Sequence, residues 1–439
     1  MNSKNIAIAA GEVKAKGLAF VPPLVPPFRP PLRNQGLTVY YRAKRHREAG
    51  ESSMQFRRLG KTGIEVSALG FGCMRLPTLG APDRIDETAA TGLLHEAIEA
   101  GVNYIDTAWF YHSAAAMAGA GESEPFVGRA LSGSPKNDWR ERVYLATKLP
   151  QQLVKTREDM DNFLARQLER LQTEHIDFYL VHGLNGESWN RMRDLGVREF
   201  LDKARERGLI RHAAFSFHGK KEDFPRIIDE YDAWAFGQLQ YNYIDTDYQA
   251  GIAGLRYAAD KGLGVVIMEP LKGGRLANKL PPELQAVFAA RPEGWSPAEW
   301  ALRYVWNEPG VSLLLSGMGD ESQLKENLRV ADSARAGELK PDSLRVYEAA
   351  KKALASRIKA DCTACRYCQP CPFGVQIPEC LAALNSAALW DTKDARLTGW
   401  SSIEGRPEAC TECGQCEEAC PQGLPIRKLL KDTAAAFRT

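Results

Sequence analysis

The chain has 439 residues and a formal net charge of +2, with the apolar and charged fractions of a globular protein. So balanced a charge argues against nucleic acid or an anionic membrane as the main partner, and no apolar run reaches the roughly 18 residues a membrane-spanning helix needs. Of ten cysteines, all but Cys73 lie between Cys362 and Cys420; this clustering excludes a disulfide framework spread through a secreted fold and points to metal-binding thiolates in the reducing cytoplasm.

Residues 1–53 show neither helical nor strand period. Pro22, Pro23, Pro26, Pro27, Pro30 and Pro31 punctuate them, and nine Lys and Arg face three acids. Lys14 and Lys16 interrupt the one apolar part, which argues against a secretory leader. The expectation is a disordered Pro-rich extension that need not belong to the native product, because Met54 opens the first patterned segment.

From Met54 the pattern is regular. Met54–Leu59 and Ile64–Val66 flank Gly60–Gly63 as a hairpin, and Ser67–Phe71 reads as a buried strand. Strands and helices then alternate. Strand two is Tyr104–Thr107, after a helix at Glu87–Ala100. Strand three is Arg142–Thr147, after Glu122–Leu131. Strand four is Ile176–Val181, after Arg157–Gln172, whose Met160, Phe163, Leu164, Leu168 and Leu171 recur at helical spacing. Val197–Arg207, Glu222–Tyr231, Tyr248–Lys261, Ser296–Val305 and Glu321–Ser333 are helices; His212–Ser216, Phe236–Tyr241, Val265–Glu269 and Ser312–Ser316 are strands five to eight. Eight such units over about 280 residues predict a closed (β/α)8 barrel over 54–340, rather than an open doubly wound sheet. The absence of G-x-G-x-x-G after the first strand agrees. A linker helix over 341–360 and a cysteine region over 361–439 follow, with helices near Pro378–Leu389 and Ile426–Phe437.

In such a barrel the C-terminal strand ends converge on one mouth. Asp106, Lys148 and His182 stand at the ends of neighbouring strands two, three and four, and the next loop can fold Tyr111 among them. A phenol, with an ordinary pKa of about 10, is a poor acid at neutral pH. A nearby ammonium favours its anion, and Asp106 would hold that ammonium charged. With His182 donating to a carbonyl oxygen and Tyr111 giving it a proton, the set suits hydride delivery to a polarised carbonyl. His112, His218, Trp109 and Phe110 also face the mouth on this reading, with simple packing as the alternative for the two rings. His95 and His175 read as surface or helix-end residues.

The segments V-S-A-L-G-F-G, Y-I-D-T-A-W-F-Y, A-T-K-L-P and D-F-Y-L-V-H resemble the aldo-keto reductase family over about residues 54–335, including its Asp, Tyr, Lys, His tetrad. The resemblance extends to the branch with a C-terminal 4Fe-4S ferredoxin-type region. It implies a (β/α)8 barrel, NADP or NAD as cofactor and a small carbonyl or alcohol as substrate. It further implies Ser216 and Gln238 on the carboxamide, Leu271, Lys272, Gly273, Gly274 and Arg275 at the phosphates, and Ser316, Gln323, Glu326 and Asn327 at the adenosine end. The run P-L-K-G-G-R has what a diphosphate needs, close backbone approach and two cations. The chain departs from better-known members at Phe217, Met268 and Gln323. The last stands where many have an Arg gripping a 2′-phosphate, so NAD versus NADP stays open.

Cys362, Cys365, Cys368 and Cys371 form C-x2-C-x2-C-x2-C-P; Cys410, Cys413, Cys416 and Cys420 form the bacterial ferredoxin run C-x2-C-x2-C-x3-C-P. Zinc is the alternative, but a third Cys in each run and the Pro after the fourth favour two [4Fe–4S] clusters. On the ferredoxin pattern the fourth Cys crosses over: Cys362, Cys365, Cys368 and Cys420 hold one cluster, and Cys410, Cys413, Cys416 and Cys371 the other. Cys73 and Cys380 read as packed thiols. The reading is a nicotinamide-dependent oxidoreductase; the rivals are an electron-transfer protein whose barrel docks a redox partner, and a reductase whose clusters are structural clips.

Overall fold

The computed structural model describes residues 54–115, 119–132, 138–278, 280–395 and 397–438; the expected extension, 1–53, lies outside them. An antiparallel hairpin comes first, β1 (Phe56–Arg58) against β2 (Glu65–Ser67). Its turn meets the start of a later strand, with Lys61 N donating to Gly262 O at 2.8 Å. Gly60 has φ +52°, and a Cβ on it would sit 2.2 Å from Gly264 N, so only glycine permits this approach. The hairpin's Leu59, Ile64 and Val66 thereby close the barrel floor, packing with Tyr104, Tyr144, Phe178 and Phe236.

Strands and helices then alternate: β3 (Leu69–Gly72), α1 (Glu87–Glu99), β4 (Tyr104–Asp106), α2 (Ser123–Leu131), β5 (Tyr144–Leu149), α3 (Arg157–Arg170), β6 (Ile176–Leu184), α4 (Gly186–Asp194), α5 (Val197–Glu206), β7 (Ile210–Phe217), α6 (Asp223–Asp229), β8 (Trp234–Gln240), α7 (Gly251–Asp260), β9 (Gly264–Met268), α8 (Pro282–Ala289), α9 (Pro297–Asn307), β10 (Leu313–Ser316) and α10 (Glu321–Ser333). The parallel strands close in the order β10-β3-β4-β5-β6-β7-β8-β9, the eight-stranded barrel that the pattern predicts.

Side chains alternate between two cores, as the strand period of two requires. Tyr104, Ala146, Phe178, Leu180, Ala214, Phe236 and Val266 fill the interior, while Ile105, Leu145, Tyr179, Val181, Phe215, Val265 and Ile267 pack outward under the helices. This parity places the site. Asp106, Lys148, His182, Ser216, Gln238 and Met268 each lie two residues beyond an interior residue of their strand, so they share the inward face one layer nearer the mouth.

Two differences from the sequence reading matter. Strands β5 and β6 run past their expected ends, so Lys148 and His182 are held within strands rather than at their very ends. Helices α4 and α8 have no counterpart among the expected elements: both are short, α4 being polar and burying Trp189 and Met192, and α8 burying only Leu284 and Phe288.

Beyond the barrel come α11 (Pro341–Ala355), α12 (Ile377–Trp390), the single turn α13 (Gln415–Glu418) and α14 (Ile426–Phe437). Tyr347, Val346 and Leu354 of α11 share one apolar cluster with Leu284, Phe288 and Trp300 of the barrel and with Trp390. A separate small cluster, around Ile377, Leu381, Leu429 and Leu430, supports the cysteines. Among the described residues, no helix is long and apolar enough to cross a membrane.

Candidate active site and thiol cavities

Lys148 is fully buried, and its Nζ is the hub of the mouth. It donates to both Asp106 carboxylate oxygens at 2.8 and 2.6 Å, to Thr107 O at 2.9 Å and to Tyr111 Oη at 3.1 Å. Burial pulls the ammonium down, but the charges and hydrogen bonds of Asp106 and Tyr111 carry it above the ordinary lysine range. The ammonium therefore stays charged inside the protein. The same burial raises the Asp106 carboxyl against the pull of Lys148.

Tyr111 behaves differently from the sequence expectation. Lys148 does favour its anion, but burial outweighs that and the phenol is pushed up to about 12. A phenol in a low-dielectric cleft loses more hydration on ionising than one ammonium, already shared with Asp106, returns. Its proton is thus retained across neutral pH. His182 stands over it, ring centroids 6.3 Å apart and nearly perpendicular. Burial, then Lys148 and His218, hold His182 well below the usual imidazole range, so it is neutral. Its Nδ1 is buried without a hydrogen-bond partner among the described residues.

A buried network fixes the strand behind Lys148. Glu124, wholly enclosed, accepts from Thr147 Oγ1 at 2.7 Å, Gln167 Nε2 at 2.5 Å and Arg170 Nε at 2.9 Å. Gln167 also donates to Lys148 O at 3.0 Å. These residues bear no sequence signal beyond a charge on a helix, and the sequence reading passed over them.

The other candidates divide. A cleft of about 510 Å³ is lined by Leu271, Gly273, Gly274, Ser316, Gln323, Glu326 and Asn327, as well as by Arg75 and Glu269. Asn327 Nδ2 donates to Ser316 Oγ at 2.9 Å, and Glu326 accepts from Ser296 Oγ. Ser216 Oγ accepts from Gly183 N at 2.8 Å, while Gln238 is 2% exposed with its Oε1 unpartnered among the described residues. Such an orphaned buried acceptor, beside a glycine-lined cleft, fits an amide-bearing cofactor.

Lys272 and Arg275 are not in that cleft. Lys272 Nζ donates to Asp245 Oδ2 at 2.6 Å. Arg275 turns the other way, donating to Leu397 O and lying 5.8 Å over the Trp390 ring. The loop turns sharply, with Glu269 at φ 55° and Lys272 at φ 48°, and this twist points the two cations away from the glycines. Arg75 stands among the glycines, its guanidinium 3.0 Å from where a Cβ on Gly273 would stand.

Several mouth residues prove structural. His112 accepts from Leu76 N at 3.2 Å and donates from Nδ1 to Pro82 O at 2.7 Å, so it pins the loop after β3. Trp109 packs edge-on against Phe163 beneath the site, and Phe110 lies beside His182. His218 has Gln249 Nε2 3.3 Å from its Nδ1. His95 stacks on Trp139, and His175 lies 3.8 Å from Asp177.

The eight cysteines of the two runs are free thiols around two cavities. One is lined by Cys362, Cys365, Cys368 and Cys420. The other, of about 170 Å³, is lined by Cys371, Cys410, Cys413 and Cys416, with Cys368 at the shared edge. Each cavity draws its fourth thiol from the opposite run. Cys73 and Cys380 are buried apart from them. Arg357 joins this region to the barrel, donating to Glu283 at 2.7 Å, to Ala388 O at 3.0 Å and to Asp391.

Residues 68–338 match the model of the aldo/keto reductase family, and residues 361–424 that of a 4Fe-4S dicluster domain. L-galactose dehydrogenase of Arabidopsis thaliana is 26% identical over 317 residues, covering 68% of this chain and 94% of the relative. The 6-dehydroglucose reductase of Novosphingobium aromaticivorans is 38% identical over 233 residues, covering 51% of this chain and 71% of the relative. Among solved structures, the aldo-keto reductase AKR11C1 from Bacillus halodurans, in its holo form, superposes with a TM-score of 0.56 at 26% identity, covering 69% of this chain and 97% of that one.

Proposed function

The chain belongs to the aldo/keto reductase family and carries a 4Fe-4S dicluster-type domain; from that premise we propose that it moves hydride between a nicotinamide dinucleotide and a small carbonyl or alcohol, with Tyr111 as proton donor or acceptor. One observation carries this: the buried Lys148 ammonium bonds Asp106 and Tyr111 together under a neutral His182. A carbonyl oxygen placed between Tyr111 Oη and His182 would accept two hydrogen bonds. As negative charge grows on that oxygen, the tyrosine proton moves to it, and Lys148 stabilises the phenolate left behind. Asp106 keeps that ammonium in place.

Bound nicotinamide would supply the hydride. Ser216 and the orphaned Gln238 are the residues to hold its carboxamide, and Leu271, Gly273, Gly274, Ser316, Glu326 and Asn327 to line the rest. The names of the two relatives, an L-galactose dehydrogenase and a 6-dehydroglucose reductase, support a polyhydroxylated, sugar-like substrate. Replacing Tyr111 by Phe should lower kcat/KM for carbonyl reduction by about 10³-fold with circular dichroism unchanged; full activity in that variant sinks the catalytic reading.

The thiol cavities support two [4Fe–4S] clusters, Cys362, Cys365, Cys368 and Cys420 holding one and Cys410, Cys413, Cys416 and Cys371 the other. Such thiolates suit the reducing cytoplasm. Cys365 and Cys413 are exposed, which favours single-electron exchange with a redox partner protein over a purely structural role. Anaerobic addition of reduced nicotinamide should bleach the cluster absorbance; turnover without bleaching would favour structural clusters.

A further inference from the structure

We infer that the cleft selects NAD(H) over NADP(H), with Arg75 as the cation of the diphosphate and the Asp320–Gln323 pair excluding a 2′-phosphate. The inference rests on the proposed reading of that cleft as a dinucleotide site. It starts from where the charges go. Among the described residues lining the cleft, Arg75 is the one cation. It comes from the 3-10 turn Cys73–Arg75 after β3, and its stem lies between two glycine loops. A Cβ on Gly317 would stand 3.0 Å from Arg75 Cβ, and one on Gly273 3.0 Å from Arg75 Nη2. Two glycines therefore make room for this side chain. The loose Arg75–Glu269 pair, 3.7 Å apart with the arginine 49% exposed, leaves guanidinium protons for a ligand. The two cations that the sequence offers for the phosphates are committed elsewhere, Lys272 to Asp245 and Arg275 to Leu397 and Trp390.

The far end of the cleft is built against a second phosphate. Asp320 caps α10, accepting from Gln323 N at 2.9 Å and Ser322 Oγ at 2.6 Å. Its other oxygen accepts from Gln323 Nε2 at 2.6 Å, and Gln323 Oε1 accepts from Gly319 N at 3.1 Å. Gln323 N and Gly319 N, two backbone donors that this helix N-terminus could offer an anion, are taken up within this ring. What remains is negative: Asp320, and Glu326 in the lining. The neighbouring cations are paired too, Lys325 with Glu321 and Arg329 with Glu299 at 2.6 Å. A phosphate dianion brought here meets carboxylates whose neighbouring cations are already paired, whereas ribose hydroxyls can donate to those carboxylates.

Equilibrium binding of NADH and NADPH to the anaerobically purified full chain, read by nicotinamide fluorescence, tests this. NADH should bind at least tenfold tighter. Arg75→Gln should weaken NADH about tenfold. The double change Asp320→Asn and Gln323→Arg, in which Asn still caps the helix, should close or reverse the gap, tightening NADPH while weakening NADH, which loses a carboxylate acceptor for its ribose hydroxyls. Equal or tighter NADPH binding by the unaltered protein overturns the selectivity. Unchanged affinity in Arg75→Gln overturns the role of that residue. Binding of neither nucleotide instead overturns the dinucleotide reading of the cleft, and the selectivity with it.

Discussion

In the barrel, a double shell of aliphatic and aromatic side chains encloses every strand, and the charged groups at the mouth are buried upon that shell. In the C-terminal region a few apolar residues around Ile377, Leu381 and Leu430 support eight thiols, two of them exposed. The first region can place an ammonium against a carboxylate because its scaffold is already rigid. The second has little hydrophobic surface to bury, so ligation of its thiols must supply much of its folding free energy. Rigidity thus precedes chemistry in one region and follows from it in the other.

The sharpest break of this contrast is removal of iron. Acid and chelator, followed by return to neutral pH, should unfold the segment from 361 to 424 while the barrel keeps its thermal transition; limited proteolysis would then cut only the C-terminal part. Equal loss of both regions would erase the distinction. Next comes Lys148→Met, which strands the buried Asp106 carboxylate and should cost about 3–5 kcal/mol of barrel stability. Denaturant unfolding measures it, and iron content should not change. Adding Asp106→Asn to that variant should return part of the loss, since no charge is then left unpaired. Smaller is Arg357→Ala. Losing its bonds to Glu283, Asp391 and Ala388 O should cost about 1–2 kcal/mol, read as faster proteolysis at the junction with kcat unchanged.

The smallest effect is a flat line. With its pKa pushed up to about 12, Tyr111 holds its proton throughout pH 6–9. Carbonyl reduction, which consumes that proton, should stay level over this range, and alcohol oxidation, which needs the phenolate, should rise with pH. His182, held well below the usual imidazole range, should add no inflection near pH 6.5. An inflection there would mean that it takes up a proton at the site.

The sequence made the barrel legible because strand parity and helical spacing recur eight times, and Asp106, Lys148 and His182 follow from one parity rule. The two cysteine runs are legible because their spacing is local, and the ferredoxin pattern, which crosses the fourth Cys of each run, matches the thiols that line each cavity. The sequence could not show orientation within a loop. Lys272 and Arg275 stand together with the glycines in one dimension, but in the fold Lys272 bonds Asp245, and Arg275 bonds Leu397 and lies over Trp390. Arg75 in the cleft lining is the converse case: a lone arginine after a strand carries no pattern, and the glycines of two distant loops mark its place. Helix α4 was announced by Asn185 and Ser188, which form a capping box, yet its polar composition hid it.

The crossing of the thiols sets an order of synthesis. Cys420 stands in the cavity of Cys362, Cys365 and Cys368, so the first cavity lacks its fourth wall until residue 420 has left the ribosome. By then the last barrel helix, ending at Ser333, has long emerged. The barrel can close while the first three thiols are still waiting, and both cavities are completed almost together, by Cys416 and Cys420.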